Sequence, residues 1–467
     1  MQPKLYLMLW MCFIFNSVFG QVITFERDYD SLGCYYAYNV LQNFDGGFIF
    51  CGVSYDASLI NQAAILRTDS TGNLIWLRAY GSPAIDAAIL CTMTPDSNIL
   101  IVGIRENYSS TDGKIWILKL DQSGNIIWTK SIKVLSGNNR PSSIDMCLDG
   151  GFIISGSCNT QAAPGEVSFL LRIDSLGNEL WSKTYGNNIP NSGYYAIQTL
   201  DSGFALVTDV TVGIYSNFRL IKTDSIGDTL WTKSFGNPDF DVPVCIRQNY
   251  DGNYIFVGNT FNANNWDIYL SELDAYGNII WNKQFGDSLS NTANCIQITT
   301  DGNYFIVGTE QISGSNDGQA LLMKVDTGGT LLWKSDIGGP LTENGWWGIE
   351  CSDGGFAIVG EVDIATPPHE GMYFLKVNQF GTLNSINHVE LKSSFDLFPI
   401  PAHDYLTVKI DYEDKFALSI VNLEGKQSKK IEAIDREQID ISYLSTGFYF
   451  AIVRTKHQTF IKKFIKN

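Results

Sequence analysis

Ten residues after each of six regularly spaced tryptophans stands a short polar side chain or a glutamate: Asp86, Asn138, Asn191, Asp241, Asn291 and Glu343. Carboxylates and amides exchange hydrogen bonds with polar ligands, and beside aromatic rings they suit a sugar or a peptide. Such rings are at hand in Tyr35, Tyr36, Tyr194, Tyr195, Trp346 and Trp347. The six polar residues with Tyr194, Trp346 and Trp347 form the candidate ligand-binding set. Asp and Asn also cap loops through backbone hydrogen bonds, and aromatic rings also fill cores, so a structural role competes at each position. Catalytic chemistry has less to work with. The chain holds four histidines, and only His369 lies within the repeat region, too few for a multi-histidine metal site. Nucleophile-elbow, phosphate-loop and zinc-ligand patterns are missing, so no catalytic residue, metal or cofactor is assigned. Segments such as Asp69–Asn73 offer few of the 6–8 oxygens that calcium takes, and turn chemistry accounts for them better.

The elements that would position these residues follow from a repeat. A turn of Asp-Gly-Gly type opens at Asp45, Asp96, Asp149, Asp201, Asp251, Asp301 and Asp353, each followed by an apolar run that in most repeats ends in Gly. Trp76, Trp128, Trp181, Trp231, Trp281 and Trp333 follow at spacings of 52, 53, 50, 50 and 52 residues. Each repeat divides into four short strands, with an Asp-x-x-Gly-Asn turn before the last in most of them. Four strands at a period of ~50 residues indicate propeller blades. Seven turns but six tryptophans leave one blade short of an outer strand. Phe25–Asp30 matches Trp76–Gly81, and Phe25 precedes Asp45 by the same 20 residues that separate Trp76 from Asp96. The expectation is an all-β chain: a seven-bladed β-propeller of four-stranded blades over residues 21–384, closed by a strand at 22–30. The tryptophans should fill wedges between blades, and the basic residues two positions on should snorkel past them to solvent. In propellers the loop carrying the polar ring lies on the face that usually binds ligands.

Composition bounds the partners. With 45% apolar and 17% charged residues the chain can bury a large core, and a net charge of −17 disfavours nucleic acid. Residues 1–20 read as a signal peptide: Lys4, an apolar run from Leu5 to Phe15, then Val18-Phe19-Gly20. No later segment approaches ~18 uninterrupted apolar residues, so no transmembrane segment is expected after cleavage. Cys91, Cys245 and Cys295 recur at nearly the same place in their repeats, as small core residues do, which favours buried free thiols over a disulfide framework.

After a linker at 385–394 the period stops, and residues 395–467 are short alternating strands that suggest a small immunoglobulin-like β-sandwich. Here Phe398-Pro399-Ile400-Pro401-Ala402 is followed by Leu406-Thr407-Val408, Gly425-Lys426, Leu444–Tyr449 containing Gly447, and a basic end with Lys463 and Lys466. This segment resembles the C-terminal sorting domain of the type IX secretion system of Bacteroidetes, departing from it at Ile400, where the family has Asn. The resemblance implies partners in the secretion machinery and its sortase-like peptidase, and a secreted or outer-membrane surface location. The blade pattern also resembles quinoprotein dehydrogenase repeats, but no cofactor-binding constellation accompanies it. Near-uniform loops favour a non-catalytic surface or secreted scaffold that binds glycan or protein. The alternative is a secreted enzyme, quinoprotein-like or polysaccharide-degrading, working at the channel mouth.

Overall fold

The computed structural model describes residues 22–383 and 395–467, apart from short segments at 30–33, 56–60, 82–84, 107–112, 161–162, 187–190, 237–239, 263, 315–316, 340–341, 364–369, 399–401, 411–414, 423–426, 435 and 455–458. The signal segment at 1–20 and the linker at 385–394 lie outside the described residues.

The chain divides into two compact units, 1–384 and 385–467. The first is a seven-bladed β-propeller. Six blades are antiparallel four-stranded sheets from consecutive strands, at 34–80, 85–132, 139–185, 193–235, 241–285 and 291–337. The seventh takes three strands from 343–377 and its outermost from Phe25–Asp28. The closing pair aligns Phe25 with Lys376 and Asp28 with Tyr373, and the Phe25 ring meets Phe374 edge-on at 5.0 Å.

Why tryptophan recurs on the outer strands becomes clear at the next blade. The Asp-x-x-Gly turn needs its glycine at positive φ, for instance +78° at Gly277. The outer-strand ring of the preceding blade lies where a Cβ would project: Trp231 comes within 2.7 Å of that point on Gly277, and Trp333 within 2.4 Å on Gly381. Phe25 does the same to Gly72, at 2.6 Å, so the closing interface copies the others. Four residues past the ring position, Tyr29, Tyr80 and Tyr185 donate from their hydroxyls to the carbonyls of Gly72, Gly124 and Gly227. The basic residues two positions past the ring do not simply reach solvent. Lys130 donates to Asn178 Oδ1 at 2.6 Å, Lys233 to Asn278 Oδ1 at 3.2 Å, and Lys183 pairs with Asp228, each on the next blade's turn.

The inner hairpin turns are pinned within each blade. Asp96 pairs with Lys119 at 2.8 Å, Asp201 with Lys222 at 2.9 Å, Asp301 with Lys324 at 2.7 Å and Asp353 with Lys376 at 2.8 Å. In the fifth blade the buried Glu272 replaces the cation and accepts from Asn249, Asn253 and the Trp281 indole. In the Asp-x-x-Gly-Asn turns both carboxylate oxygens are taken by the turn: Asp274 Oδ1 accepts the N–H groups of Tyr276 and Asn278, and Oδ2 the Asn278 amide. Seven cysteines, Cys51, Cys91, Cys147, Cys158, Cys245, Cys295 and Cys351, are free and buried among the described residues.

The second unit holds a three-stranded sheet (Phe395–Phe398, Tyr405–Ile410, Arg436–Asp440) and a four-stranded one (Lys415–Asn422, Gln427–Ile434, Gly447–Arg454, Thr459–Lys466). Leu406, Val408 and Ile439 from the first share one buried cluster with Leu418, Ile420, Ala451 and Phe464 from the second.

The ring–glycine contact yields a paired test. Gly277→Ala must displace Trp231 as well as hold a left-handed backbone, and should cost about 1–3 kcal/mol beyond the ~1 kcal/mol of backbone strain. Gly252→Ala has φ +84° but nothing within 4 Å of its Cβ, and should show the strain alone. Equal losses in urea titrations would refute the clasp. Deleting residues 22–29 should lower the melting temperature and expose the seventh blade to proteases; unchanged melting would exclude this closure.

Candidate functional site

The seven innermost strands share one irregularity. Each shifts register against its neighbour around an extra residue at an equivalent position: Tyr38, Ile89, Ser142, Tyr194, Val244, Asn294 and Trp346; the first blade's strand has a second shift at Tyr35. Such a bulge re-aims one side chain out of the sheet's alternation. All seven residues are half-exposed, six of them between buried neighbours, ringing the central channel near the start of the strands. The glycine that ends most apolar runs is the partner of this device. A Cβ at Gly52 would sit 1.7 Å from the Tyr36 carbonyl oxygen, at Gly308 1.8 Å from that of Thr292, and at Gly360 1.6 Å from that of Asn344. Only glycine leaves room for the bulged carbonyl.

On the arc between the seventh and first blades the bulges present aromatic rings. Tyr36 stacks on Tyr38 with centroids 5.9 Å apart, and Tyr38 meets Trp346 edge-on at 6.4 Å. The Trp346 indole N–H is buried and has no hydrogen-bond partner among the described residues. Asn344 donates to Glu361 Oε1 at 2.6 Å and Asn294 to the Gly345 carbonyl at 2.8 Å, which fixes two amides beside the indole. Across the channel Tyr194 carries a hydroxyl whose pKa is raised by burial and by the nearby Asp209 and Glu166.

Trp347, the neighbour of Trp346, has a different place. It reaches inward and stacks on Tyr195 of the fourth blade, centroids 5.9 Å apart and planes 20° from parallel. Rings from opposite sides of the propeller thus meet on the axis, and the Trp347 indole touches four of the hydrophobic clusters around it. Trp347 and Tyr195 close the channel below the mouth. The Tyr35 side chain lies outside the described residues.

The polar ring stands where the blade-to-blade loops enter the innermost strands. Asp86, Asp241, Asn291 and Glu343 are already strand residues, where the sequence placed them in the loops, and Asn138 and Asn191 lie just ahead. Asp86, Asn191, Asp241, Asn291 and Glu343 are all buried. Asn191 accepts the Ser168 N–H at 2.7 Å, Asn291 donates to the Leu289 carbonyl at 3.0 Å, and Asp86 faces the Arg105 guanidinium at 3.4 Å. The Asp241 and Glu343 carboxylates fill the Cβ space of Gly236 and Gly338, five residues earlier. Burial raises the Glu343 carboxyl pKa, with further contributions from Glu26, Asp28 and Asp363. In the third blade the loop is one residue longer, and the buried Asn139 takes the ring position, accepting from Val134 and Leu135 N–H groups; Asn138 instead accepts from Gly113 N. One such residue per blade brings no two of them together.

Other sites lie elsewhere. On the sixth blade Lys334 pairs with Glu310 and lies 3.5 Å from Asp336. Burial, and then the neighbouring Glu310, push the Asp336 carboxyl up to about 7. At the hairpin-turn end of the propeller, Phe44, Leu148, Leu200, Tyr250, Leu176, Ile226, Tyr276 and Phe380 are exposed.

In the C-terminal unit Tyr449 is buried, stacks on Phe464 at 5.7 Å and donates to the Ser445 carbonyl at 3.0 Å. Lys466 is buried as well, donates to the Asn467 carbonyl and pairs in register with Gly447, while Lys463 pairs with Phe450. Pro399, Pro401, Gly425 and Lys426 lie outside the described residues.

A seven-bladed propeller is the class this architecture defines. Residues 396–467 match the secretion system C-terminal sorting domain. The chain is thus a type IX secretion substrate by its C-terminal domain, destined for the cell surface or the medium. No curated protein matches it by sequence. Among solved structures it is similar to puromycin hydrolase, at 12% identity and a TM-score of 0.50, over 91% of this chain and 59% of that one. It is also similar to PorZ, a surface component of the type IX secretion system of Porphyromonas gingivalis, at 11% identity and a TM-score of 0.42, over 90% of this chain and 58% of that one. A third is the β-propeller domain of the Trilobed protease from Pyrococcus furiosus, at 13% identity and a TM-score of 0.45, over 76% of this chain and 98% of that domain. The chain spans about three-fifths of the length of the first two. At such identities the likeness is one of fold.

The Asp336 cluster makes a pH prediction. A carboxyl held at about 7 when folded and near its ordinary 3.8 when unfolded keeps its proton longer in the native state. It therefore withdraws stability as pH rises from about 4 to about 7, with no further loss above. Asp336→Asn should gain melting temperature relative to the parent protein across that window and hold the gain at pH 8. A difference that does not change with pH would show that Asp336 titrates normally.

Proposed function

We propose that this protein is an exported, non-catalytic binding scaffold whose propeller takes a glycan at the channel mouth. The observation that carries this reading is the aromatic arc of Tyr36, Tyr38 and Trp346, with the buried indole N–H of Trp346, unpartnered among the described residues, at its centre. Sugars offer C–H faces to aromatic rings and hydroxyl oxygens to an indole donor, and the amides of Asn294 and Asn344 beside it extend the polar contact. Tyr194 completes the aromatic content from the far wall, while the six polar ring residues hold the loops that shape the rim.

Export fits this role. The signal segment at 1–20 would carry the chain across the inner membrane. The C-terminal unit, an immunoglobulin-like sandwich on this reading, would carry it through the outer one. A sortase-like peptidase would then remove that unit and release or anchor the propeller. The Asp336 carboxyl, raised to about 7, stands away from the channel. Asp336 and Glu310 belong to the strands of the sixth blade beyond the innermost, with Lys334 between them.

Affinity electrophoresis of the propeller against a panel of soluble polysaccharides tests the reading. Retardation by at least one of them is expected, and Trp346→Ala should weaken it about tenfold, the value of one aromatic stack. Wild-type protein that runs unretarded in every gel, or a Trp346→Ala variant retarded as strongly as the parent, would overturn the assignment.

A further inference from the structure

Between the Trp347–Tyr195 stack and the hairpin-turn end, the innermost strands enclose a second cavity, of about 350 Å³. Its wall includes Thr92, Asp145, Arg247 and Gln297, under a lid formed by Tyr195 and Trp347. The four polar residues occupy equivalent positions, four residues ahead of the turn aspartates of their blades. The other three blades place Leu41, Ile197 and Ile349 there, so the fold itself has no need of a charge at this level. Taking an ion from water into such a cavity costs several kcal/mol unless something repays it.

Arg247 is held as a rigid fork. Its guanidinium lies over the Tyr195 ring at 4.5 Å and the Trp347 ring at 5.8 Å. Nε donates to Gln297 Oε1 at 3.2 Å, and Nη1 to the Ile246 carbonyl at 2.8 Å and to Cys245 Sγ at 3.1 Å. That leaves Nη2 with no hydrogen bond among the described residues, on a side chain that lines the cavity. Asp145 lines the same space and accepts backbone N–H groups from Gln198 and Met146. Yet no ion pair joins Asp145 to Arg247 among the described residues. A fixed cation and a fixed anion thus face one small cavity within each other's field but without a contact between them.

We propose that this cavity binds a small zwitterion, a free α-amino acid or a dipeptide, with its carboxylate on Arg247 and its ammonium toward Asp145. The planar fork suits a carboxylate, and stacking plus three hydrogen bonds have already met the cost of ordering it. The aromatic lid offers an apolar surface for the ligand's side chain. The volume lies at the small end of the range for ligand pockets and admits a molecule of this size. A bound zwitterion adds a direct ionic contact to each of the two charges.

Titration calorimetry and thermal melts of the full chain with L-leucine, L-phenylalanine and glycyl-leucine test this, each ligand run beside its N-acetyl and C-amide forms. The uncapped ligands should bind saturably and raise the melting temperature, and either cap should weaken binding at least tenfold. Asp145→Asn, close in size to the native side chain, should abolish discrimination against the N-acetyl forms. It keeps the test alive where Arg247→Gln unfolds the ring. No binding of any of the three at millimolar concentration, or equal binding of capped and free forms, would overturn the site. Trp346→Ala should leave zwitterion binding unchanged, so failure of this site and failure of the glycan mouth are told apart.

Discussion

Everything in the propeller depends on a ring laid over a glycine. A turn that requires left-handed backbone puts a residue without a side chain at the edge of one blade, and the outer-strand tryptophan of the previous blade fills the space. Each contact is modest. Covering about half of an aromatic ring is worth ~2–3 kcal/mol by area. Its leverage comes from closure: in a circle every blade has a neighbour on both sides, and six of the seven interfaces make this contact, Arg78 and Tyr80 taking the place of the ring over Gly124. The hydroxyl of the following tyrosine and the lysine beside the ring then fix the angle between blades through the same turn. The clasp thus sets the diameter of the channel, and through it the distance across which Trp347 and Tyr195 meet.

Within that frame the bulges decide what the channel shows. A regular innermost strand would alternate between its two flanking blades and offer the axis mainly backbone. An extra residue at the same height in each strand turns a side chain inward seven times. The carbonyl it displaces needs a glycine opposite, and the fourth blade shows the exchange, with Thr208 facing Gly193. Closure and bulge together explain how a fold of near-identical blades acquires an interior addressed residue by residue.

The blade count, the turn aspartates and the closing match of Phe25–Asp30 to Trp76–Gly81 were legible because they rest on spacing and turn chemistry, which are local. The mouth was legible only in part. Tyr36, Tyr194 and Trp346 stood out as aromatic residues near a loop, but Tyr38 did not, because nothing local says which residue of an innermost strand is the extra one. The signal was present in the glycine that ends most apolar runs, whose meaning depends on the strand across from it. Trp346 and Trp347 are adjacent and alike in type, yet one lines the rim and the other plugs the axis, a difference made by the bulge alone. The polar ring shows the converse. Asp86, Asn191, Asp241 and Glu343 each fold back on the glycine five residues earlier, a recurrence that serves the frame.

Regularity therefore sorts the residues by task. Where seven blades agree, as at the turn glycines, the reason is found in how blades join. Where they differ at equivalent positions, the frame is indifferent and another constraint has set the residue. The positions that carry Leu41, Ile197 and Ile349 in three blades carry Thr92, Asp145, Arg247 and Gln297 in the rest, although each buried charge there works against folding. The indole of Trp346 is a similar departure, since Ile89 and Val244 do the same mechanical work at other bulges without bringing an unmet donor. Both departures face the channel, one on each side of the Trp347–Tyr195 stack. A symmetric ring has one axis, and only there do side chains from all seven blades come within reach of a single ligand.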